Sequence, residues 1–344
     1  MKIQSSTTTF CSNMPRILVT GATGYIGSNL SVKLAKEGYD LAICGRNEKK
    51  MEHIKNMIDK VNSERAVKSK CDFVNLELTD SKQVDKFLNS NRDISGVIHL
   101  AGMNSNARSL TNSQETYATN LFGSVNLMNS MLESDIRKLL FISTGSVYGK
   151  AKNGAKIDEA APVLPETVYA KSKVMVEQFI GDYNKSGLQS TILRLFNIAG
   201  AGSKEDLTIG SNVVSILMNR LNSGKEFVLN GNKQNTPDGT CIRDFLHISD
   251  ACEAIKTSFN KLLVTQDNEL YNLGSGKGTS IGELIDIGEK TSGKKLNLVV
   301  KDSVQYEPPV LVVDNTKIKN AMDWKPQRDI KDIISDAWEW CKSH

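Results

Sequence analysis

A glycine-spaced turn, Gly21-Ala22-Thr23-Gly24-Tyr25-Ile26-Gly27, set between an apolar run and a helical pattern, constrains the fold of this chain more than any other feature. The run Arg16-Ile17-Leu18-Val19-Thr20 has the length and β-branched content of a strand, and Ile26–Glu37 has helical spacing. A strand that turns into a helix in this way needs Gly21 where the chain reverses, Gly24 where the backbone lies open to a close neighbour, and Gly27 where helix and strand touch. The N-terminus of the helix then presents unpaired N–H groups, which favour a pyrophosphate. A dinucleotide is the natural occupant, held around Gly21, Gly24, Tyr25, Ile26 and Gly27. The plainer alternative, glycines that serve only a sharp turn, asks for no ligand.

Strand-length runs alternate with helical stretches through the first two-thirds of the chain. Ile17–Thr20, Leu41–Cys44, Cys71–Asn75, Val97–Ala101, Leu139–Ser143 and Thr191–Leu195 read as strands. Between them Ile26–Glu37, Lys49–Val61, Gln83–Leu88, Glu115–Leu132 and Val168–Tyr183 read as helices. The economical fold is α/β, a Rossmann-type doubly wound parallel sheet. After about residue 197 turn-rich segments such as Gly200-Ala201-Gly202 and Thr236-Pro237-Asp238-Gly239 break the alternation. The expected division is a disordered extension at 1–13, a dinucleotide-binding domain at 14–196, and a smaller C-terminal α/β substrate-binding lobe at 197–344. Ser249–Leu263 and Ile281–Thr291 are the stretches expected to return to the first domain.

Composition closes off other classes. Charged residues, 43 basic and 39 acidic, are interspersed and give a net charge of only +4, with no basic block to track a nucleic acid backbone. The six cysteines are scattered, and the four histidines form no ligand cluster with other donors, so neither a metal site nor a disulfide framework is expected. A reducing, cytoplasmic setting fits this usage, and no stretch approaches the ~18 apolar residues of a membrane span.

At the end of the second strand, where an NAD-specific unit places an acid for the adenosine ribose, the chain has Gly45-Arg46. A small residue followed by a planar cation, with Lys49 or Lys50 nearby, suits a 2′-phosphate, so NADP is expected in preference to NAD. In the alternative, Arg46 is a solvated loop cation.

Tyr169 and Lys173 lie four apart in a helical pattern and so share one face. A free phenol has a pKa of about 10, and work as a base near neutrality asks for a shift of about three units, which a lysine ammonium and a cationic nicotinamide could supply. Ser143-Thr144-Gly145-Ser146 leaves the carboxyl end of a strand, the edge at which open α/β sheets bind ligands. Thr144, rather than Ser143, is the hydroxyl expected to hold the reacting oxygen, with Tyr169 as base and acid and Lys173 beside it.

Taken together, these residues resemble the extended short-chain dehydrogenase/reductase superfamily, and within it the UDP-glucose 4-epimerase-like nucleotide-sugar enzymes. The likeness covers nearly everything from Met14 onward. His99-Leu100-Ala101-Gly102, Asn120, Leu193-Arg194-Leu195-Phe196-Asn197, Asp238–His247, Tyr271–Gly276 and Trp324-Lys325-Pro326 match its further motifs. The resemblance implies cofactor contacts from Ala101 and Asn120, and substrate contacts from Asn197, Asn212, Arg243 and Glu307. It also implies a nucleotide-sugar substrate, a UDP-hexose first, and a homodimer built on Glu115–Leu132 and Val168–Tyr183. The chain departs from the pattern at Asn104, where a lysine is usual, and at Ser303–Glu307, where an Arg before Gly-Asp is usual. The activity implied is 4-epimerisation through a transient 4-keto sugar. A reductase of a 4-keto nucleotide sugar using NADPH would employ the same residues, and a dinucleotide-sensing protein without catalysis is the alternative of another class.

Overall fold

The computed structural model describes residues 14–66, 68–103, 109, 111–149, 156–206, 208–302 and 308–344. Residues 1–13, Asn104 and the stretch that ends at Glu307 lie outside the described residues.

The first half alternates β1 (Arg16–Thr20), α1 (Tyr25–Glu37), β2 (Asp40–Cys44), α2 (Glu48–Ser63), β3 (Cys71–Val74), α3 (Ser81–Asn89) and β4 (Ile94–His99). Helix α4 begins at Ser113–Tyr117, widens into a π turn over Ala118–Phe122 and continues through Gly123–Glu133. There follow β5 (Lys138–Thr144), α5 (Val168–Lys185), β6 (Gln189–Leu195) and β7 (Asn197–Ala199). The remainder comprises α6 (Val213–Ser223), β8 (Phe227–Asn230), β9 (Ile242–His247), α7 (Ile248–Val264), β10 (Glu269–Leu273), β11 (Gly278–Ser280), α8 (Ile281–Ser292), β12 (Leu298–Lys301), β13 (Val310–Leu311), α9 (Thr316–Met322) and α10 (Ile330–Ser343).

Seven strands form one parallel sheet in the order β10-β6-β5-β4-β1-β2-β3. Chain direction across the sheet reverses between β1 and β4, and at such a point the strand ends splay open into a crevice. The central strands β1, β2 and β4 are largely apolar on both faces because both are covered. Ile17, Val19, Leu41 and Ile43 pack with α1, α2 and α7, whereas Leu18, Ala42, Val97 and Phe141 pack with α3, α4 and α5. Local signals set the helix limits. Gly38, at φ 97°, closes α1, while Asn47, Asp80 and Thr167 accept N-cap bonds that open α2, α3 and α5.

The later elements build a second core around α6, α8 and α10. They include a small sheet in which β9 pairs with β7, β11 and β13, and a two-stranded pair of β8 with β12. Helix α7 packs back on the main sheet through Ile255, Phe259 and Leu262. Helix α8, which the sequence pattern sent the same way, instead buries Ile281, Leu284 and Ile285 in the second core. Its apolar stripe meets α6 and α10, and the three form a layer of their own.

Candidate functional site

The crevice at the carboxyl ends of β1, β4 and β5 is a cavity of about 560 Å³. One end is framed by the glycine turn. Gly21 has φ +70°, and a side chain there would stand 2.6 Å from the Ala101 backbone nitrogen, so only glycine lets β1 turn this close to the end of β4. A Cβ on Gly27 would meet the Gly21 carbonyl oxygen at 2.4 Å. Gly24 occupies the N-cap of α1 with extended geometry and offers no side-chain cap, which leaves the first helical N–H groups for a ligand. A turn with glycine at its close approaches, beneath an uncapped 13-residue helix, is the cradle a pyrophosphate requires, and Tyr25, Ile26 and Ala101 complete its walls.

At the far end of that groove Arg46 is already paired within the protein. Arg46 is mostly exposed and its Nη1 donates to Glu77 Oε2 at 2.9 Å, so its fork is already facing a carboxylate. Burial pushes the Glu77 carboxyl up, but Arg46 and Thr79 hold it below the ordinary range, and it remains a full charge on the cavity wall. Nothing in the local sequence pointed to Glu77, which arrives from the segment after β3. Gly45 is small for a packing reason, since a Cβ there would meet Thr23 at 2.5 Å and the Met51 sulfur at 2.9 Å.

At the centre of the crevice β5 ends at Thr144 and α5 begins beside it. Thr144, Tyr169 and Lys173 all line the cavity. Thr144 Oγ1 accepts from Ser146 N at 3.1 Å and stands close enough to Tyr169 to hydrogen-bond its phenol. Ser143 lines the same wall, but its hydroxyl donates to Glu177, which leaves Thr144 as the hydroxyl turned to the phenol. Burial raises the Tyr169 pKa and the Thr144 contact opposes it. The downward shift expected from the sequence is therefore not supplied by these neighbours.

Lys173 is 5% exposed, donates from Nζ to the Ile142 carbonyl at 2.8 Å, and lies 4.6 Å from the centre of the Phe141 ring. Burial lowers its pKa to about 8, with Glu177 working in the other direction. Asn120, placed by the π turn of α4, is not on the cavity wall. Its amide accepts from Met103 N at 2.7 Å and donates to Met103 O at 3.1 Å and to Ser172 Oγ at 3.0 Å, tying α4, the segment after β4 and α5 together. His99 is buried between Thr20 Oγ1 at 2.7 Å and Ser124 Oγ at 2.8 Å, and burial with nearby Lys173 depresses its pKa to about 3. It is a neutral packing histidine. His247 caps α7.

The residues assigned to substrate are only partly gathered. Asn197 lines the cavity and donates to the Asp244 carbonyl at 3.0 Å. Asn212 lines it too, but its oxygen caps α6 by accepting from Ser215 N at 3.0 Å, and its nitrogen donates to the Ile198 carbonyl at 3.0 Å. Its amide is thus committed to the backbone, and what it presents to the cavity is the N-terminus of α6. Arg243 is not on this wall; its Nη1 donates to the Pro308 carbonyl at 2.8 Å. Asp250, in the first turn of α7, is paired with Arg328 at 2.9 Å. Among the described residues no group of histidine, cysteine and acid side chains could hold a metal ion, and no helix is long and apolar enough to cross a membrane.

Comparison with known proteins adds the following. The pattern described as "NAD dependent epimerase/dehydratase family" matches residues 17–274. The UDP-glucose 4-epimerase of Lactobacillus helveticus is 29% identical over 96% of this chain and 98% of its own length. That of Azospirillum brasilense is 30% identical over 96% and 92%. Among solved structures, a UDP-glucose-4-epimerase from Stenotrophomonas maltophila with bound NAD and formylated UDP-arabinopyranose superposes with a TM-score of 0.87 at 26% identity, over 96% of this chain and 98% of that one. The UDP-Glc/GlcNAc 4-epimerase of Campylobacter jejuni gives 0.81 at 27%, over 96% and 100%.

Proposed function

The chain belongs to the NAD dependent epimerase/dehydratase family, and we propose that it is a nucleotide-sugar 4-epimerase acting on a UDP-hexose through a transient 4-keto sugar. The observation that carries this reading is the convergence of Thr144, Tyr169 and Lys173 on one cavity that also contains the glycine turn. In this proposal Gly21, Gly24, Tyr25, Ile26, Gly27 and Ala101 hold the dinucleotide, whose nicotinamide, when bound, accepts and returns the hydrogen of the sugar C4. Tyr169 would take the proton of the 4-hydroxyl and return it to the same oxygen after the 4-keto sugar has turned over in the pocket, so that the returning hydride meets the opposite face of C4. Thr144 orients the oxygen, and Lys173 lends positive charge beside the phenol, where burial alone works against ionisation. Asn197 and the N-terminus of α6 at Asn212 lie where a diphosphate would find donors. Arg243 would have to leave its backbone partner to join them.

For the coenzyme, the Arg46–Glu77 pair turns the reading from NADP towards NAD. An added 2′-phosphate would meet the Glu77 carboxylate, and an exposed ion pair of this kind is worth only about 0–1 kcal/mol, so Arg46 alone is a weak lure. Michaelis constants for the two coenzymes test it, and a clear NADP preference returns the choice to Arg46. Exposed Phe122, on α4, with Met175 and Phe179, on α5, support a homodimer through these helices, testable by light scattering. Incubation with UDP-glucose or UDP-N-acetylglucosamine and no reductant should yield the 4-epimer. Consumption of NADPH in equal amount with a keto sugar would instead make the chain a reductase, and neither activity, with coenzyme still bound, would make it a sensor.

A further inference from the structure

Behind the cavity wall lies a polar layer that the proposed chemistry does not use. Glu177 stands one turn beyond Lys173 on α5, continuing the spacing of Tyr169 and Lys173, and is almost fully buried. Its carboxylate accepts from the Ser143 hydroxyl and forms a two-pronged pair with Arg194 of β6, with contacts of 2.5 Å and 3.1 Å. Arg194 donates onward to the Tyr148 hydroxyl at 2.9 Å, which donates to Asn272 Oδ1 at 2.6 Å. Ser143, Arg194 and Asn272 are register partners on the adjacent strands β5, β6 and β10. A buried ion pair of this kind is a poor source of stability compared with apolar packing, so its presence here calls for another explanation.

We propose that Glu177 and Arg194 are positioning residues for the reaction at Tyr169. Their buried, charge-balanced pair clamps α5 to the end of β5 and sets, from one helical turn away, how firmly Lys173 holds its proton. Three observations support this. The clamp grips Ser143, whose neighbour Thr144 faces the phenol, so α5 and the catalytic end of β5 are fixed to each other through one carboxylate. The carboxylate is the acidic group that acts on Lys173, and it opposes the burial that lowers the lysine's pKa. The other groups around Lys173 do not substitute for it. His99 of β4 is neutral, β5 offers the Ile142 carbonyl and the Phe141 ring, α4 offers the Asn120 amide, and Tyr169 is a protonated phenol. Arg194 in turn tempers the carboxylate, so each member of the pair pulls Lys173 the opposite way.

This inference rests on the epimerase reading for its activity readout, so the test includes one that needs no turnover. Competitive acetylation of Lys173 by acetic anhydride across a pH series, read by peptide mass spectrometry, follows the amine itself, beside the pH profile of kcat/KM. Glu177→Gln removes the carboxylate and leaves a cation, and should move both the amine titration and the alkaline limb down by about one pH unit. Arg194→Gln leaves the carboxylate alone and should move them up. Glu177→Asp, which keeps the charge, should restore the wild-type position even where the rate falls. Should Arg194→Gln fail to fold, the two Glu177 variants decide. A purely structural brace would lower stability in all variants and leave the titration where it was; that result, or displacement in the same direction for both partners, overturns the proposal. A wild-type enzyme that epimerises no UDP-hexose but shows these displacements would remove the activity reading and leave the electrostatic one standing.

Discussion

The same substitution, Gly→Ala, should have opposite effects at two helical positions, because the space around them differs. At Gly27 in α1 a Cβ would meet the Gly21 carbonyl oxygen at 2.4 Å and the Ala22 Cα at 2.7 Å. Both are backbone atoms of the turn, and the oxygen is about 0.6 Å inside the 3.0 Å limit of real contacts. Helix or turn must move by that amount. Overpacking of this kind costs about 1–3 kcal/mol, partly offset by the ~1 kcal/mol that alanine gains over glycine in a helix. Stability should therefore change by about 0–2 kcal/mol, whereas the displaced helix N-terminus should weaken dinucleotide binding by about 1.4–3 kcal/mol, or roughly 10- to 150-fold. At Gly181 in α5 nothing lies within 4 Å, so alanine should raise stability by about 0.5–1 kcal/mol and leave binding alone. Denaturant unfolding and fluorescence titration with NADH measure the two quantities separately. Wild-type affinity in Gly27→Ala would mean that the turn does not hold the dinucleotide.

Four further outcomes are expected. Tyr169→Phe should cut kcat by about 10²–10⁴ while coenzyme affinity stays within roughly twofold, as read by steady-state kinetics and NADH titration. Because burial brings Lys173 down to about 8, the ammonium is lost as pH rises through that value, so kcat/KM should decline above pH 8. The same group binds more protons in the unfolded chain than in the folded one up to the ordinary lysine value of ~10.4, so folding stability should gain over that interval, a sign that urea midpoints at several pH values would check. Asp244 is fully buried and accepts from Ser275 N and Oγ at 2.7 Å, Gly276 N at 2.8 Å and Val313 N at 3.3 Å. Asp244→Asn turns one acceptor into a donor facing donors, and urea unfolding should show a loss of about 2–4 kcal/mol.

What could be read from the sequence divides according to whether a requirement is local. The glycine turn is legible because its constraints, a reversal, an open backbone and a helix contact, all fall within seven consecutive residues. The Tyr169–Lys173 pair is legible because one helix face brings residues four apart together. Arg46 is hard to judge from its neighbours in sequence because its ion-pair partner Glu77 arrives from a different strand end. Asn212, which the resemblance implies as a substrate contact, also stands just before an apolar helical run, the ordinary N-cap signal, and it does cap α6. The π turn of α4 that places Asn120 does not show in the sequence, where Glu115–Leu132 reads as one uninterrupted helix.

The Glu177 clamp marks the boundary most sharply. Read along α5, Glu177 looks like one more solvated acid, and Arg194 in β6 looks like an exposed strand residue. They become a buried pair only once β5, β6 and β10 are known to be neighbours, because that order lines up Ser143, Arg194 and Asn272 across the sheet and sets the first two against Glu177 of α5. Strand β10 contains the polar Asn272 and follows a long excursion through the second core, so its apolar pattern gives no sign that it extends the main sheet. Strand order is a long-range property settled by which faces the helices cover, and the polar layer behind the cavity inherits that dependence. A sequence reading that commits to the doubly wound order and writes out the register therefore gains a way to find such residues: polar side chains that fall on one row of neighbouring buried strands, next to a helix already carrying reactive groups.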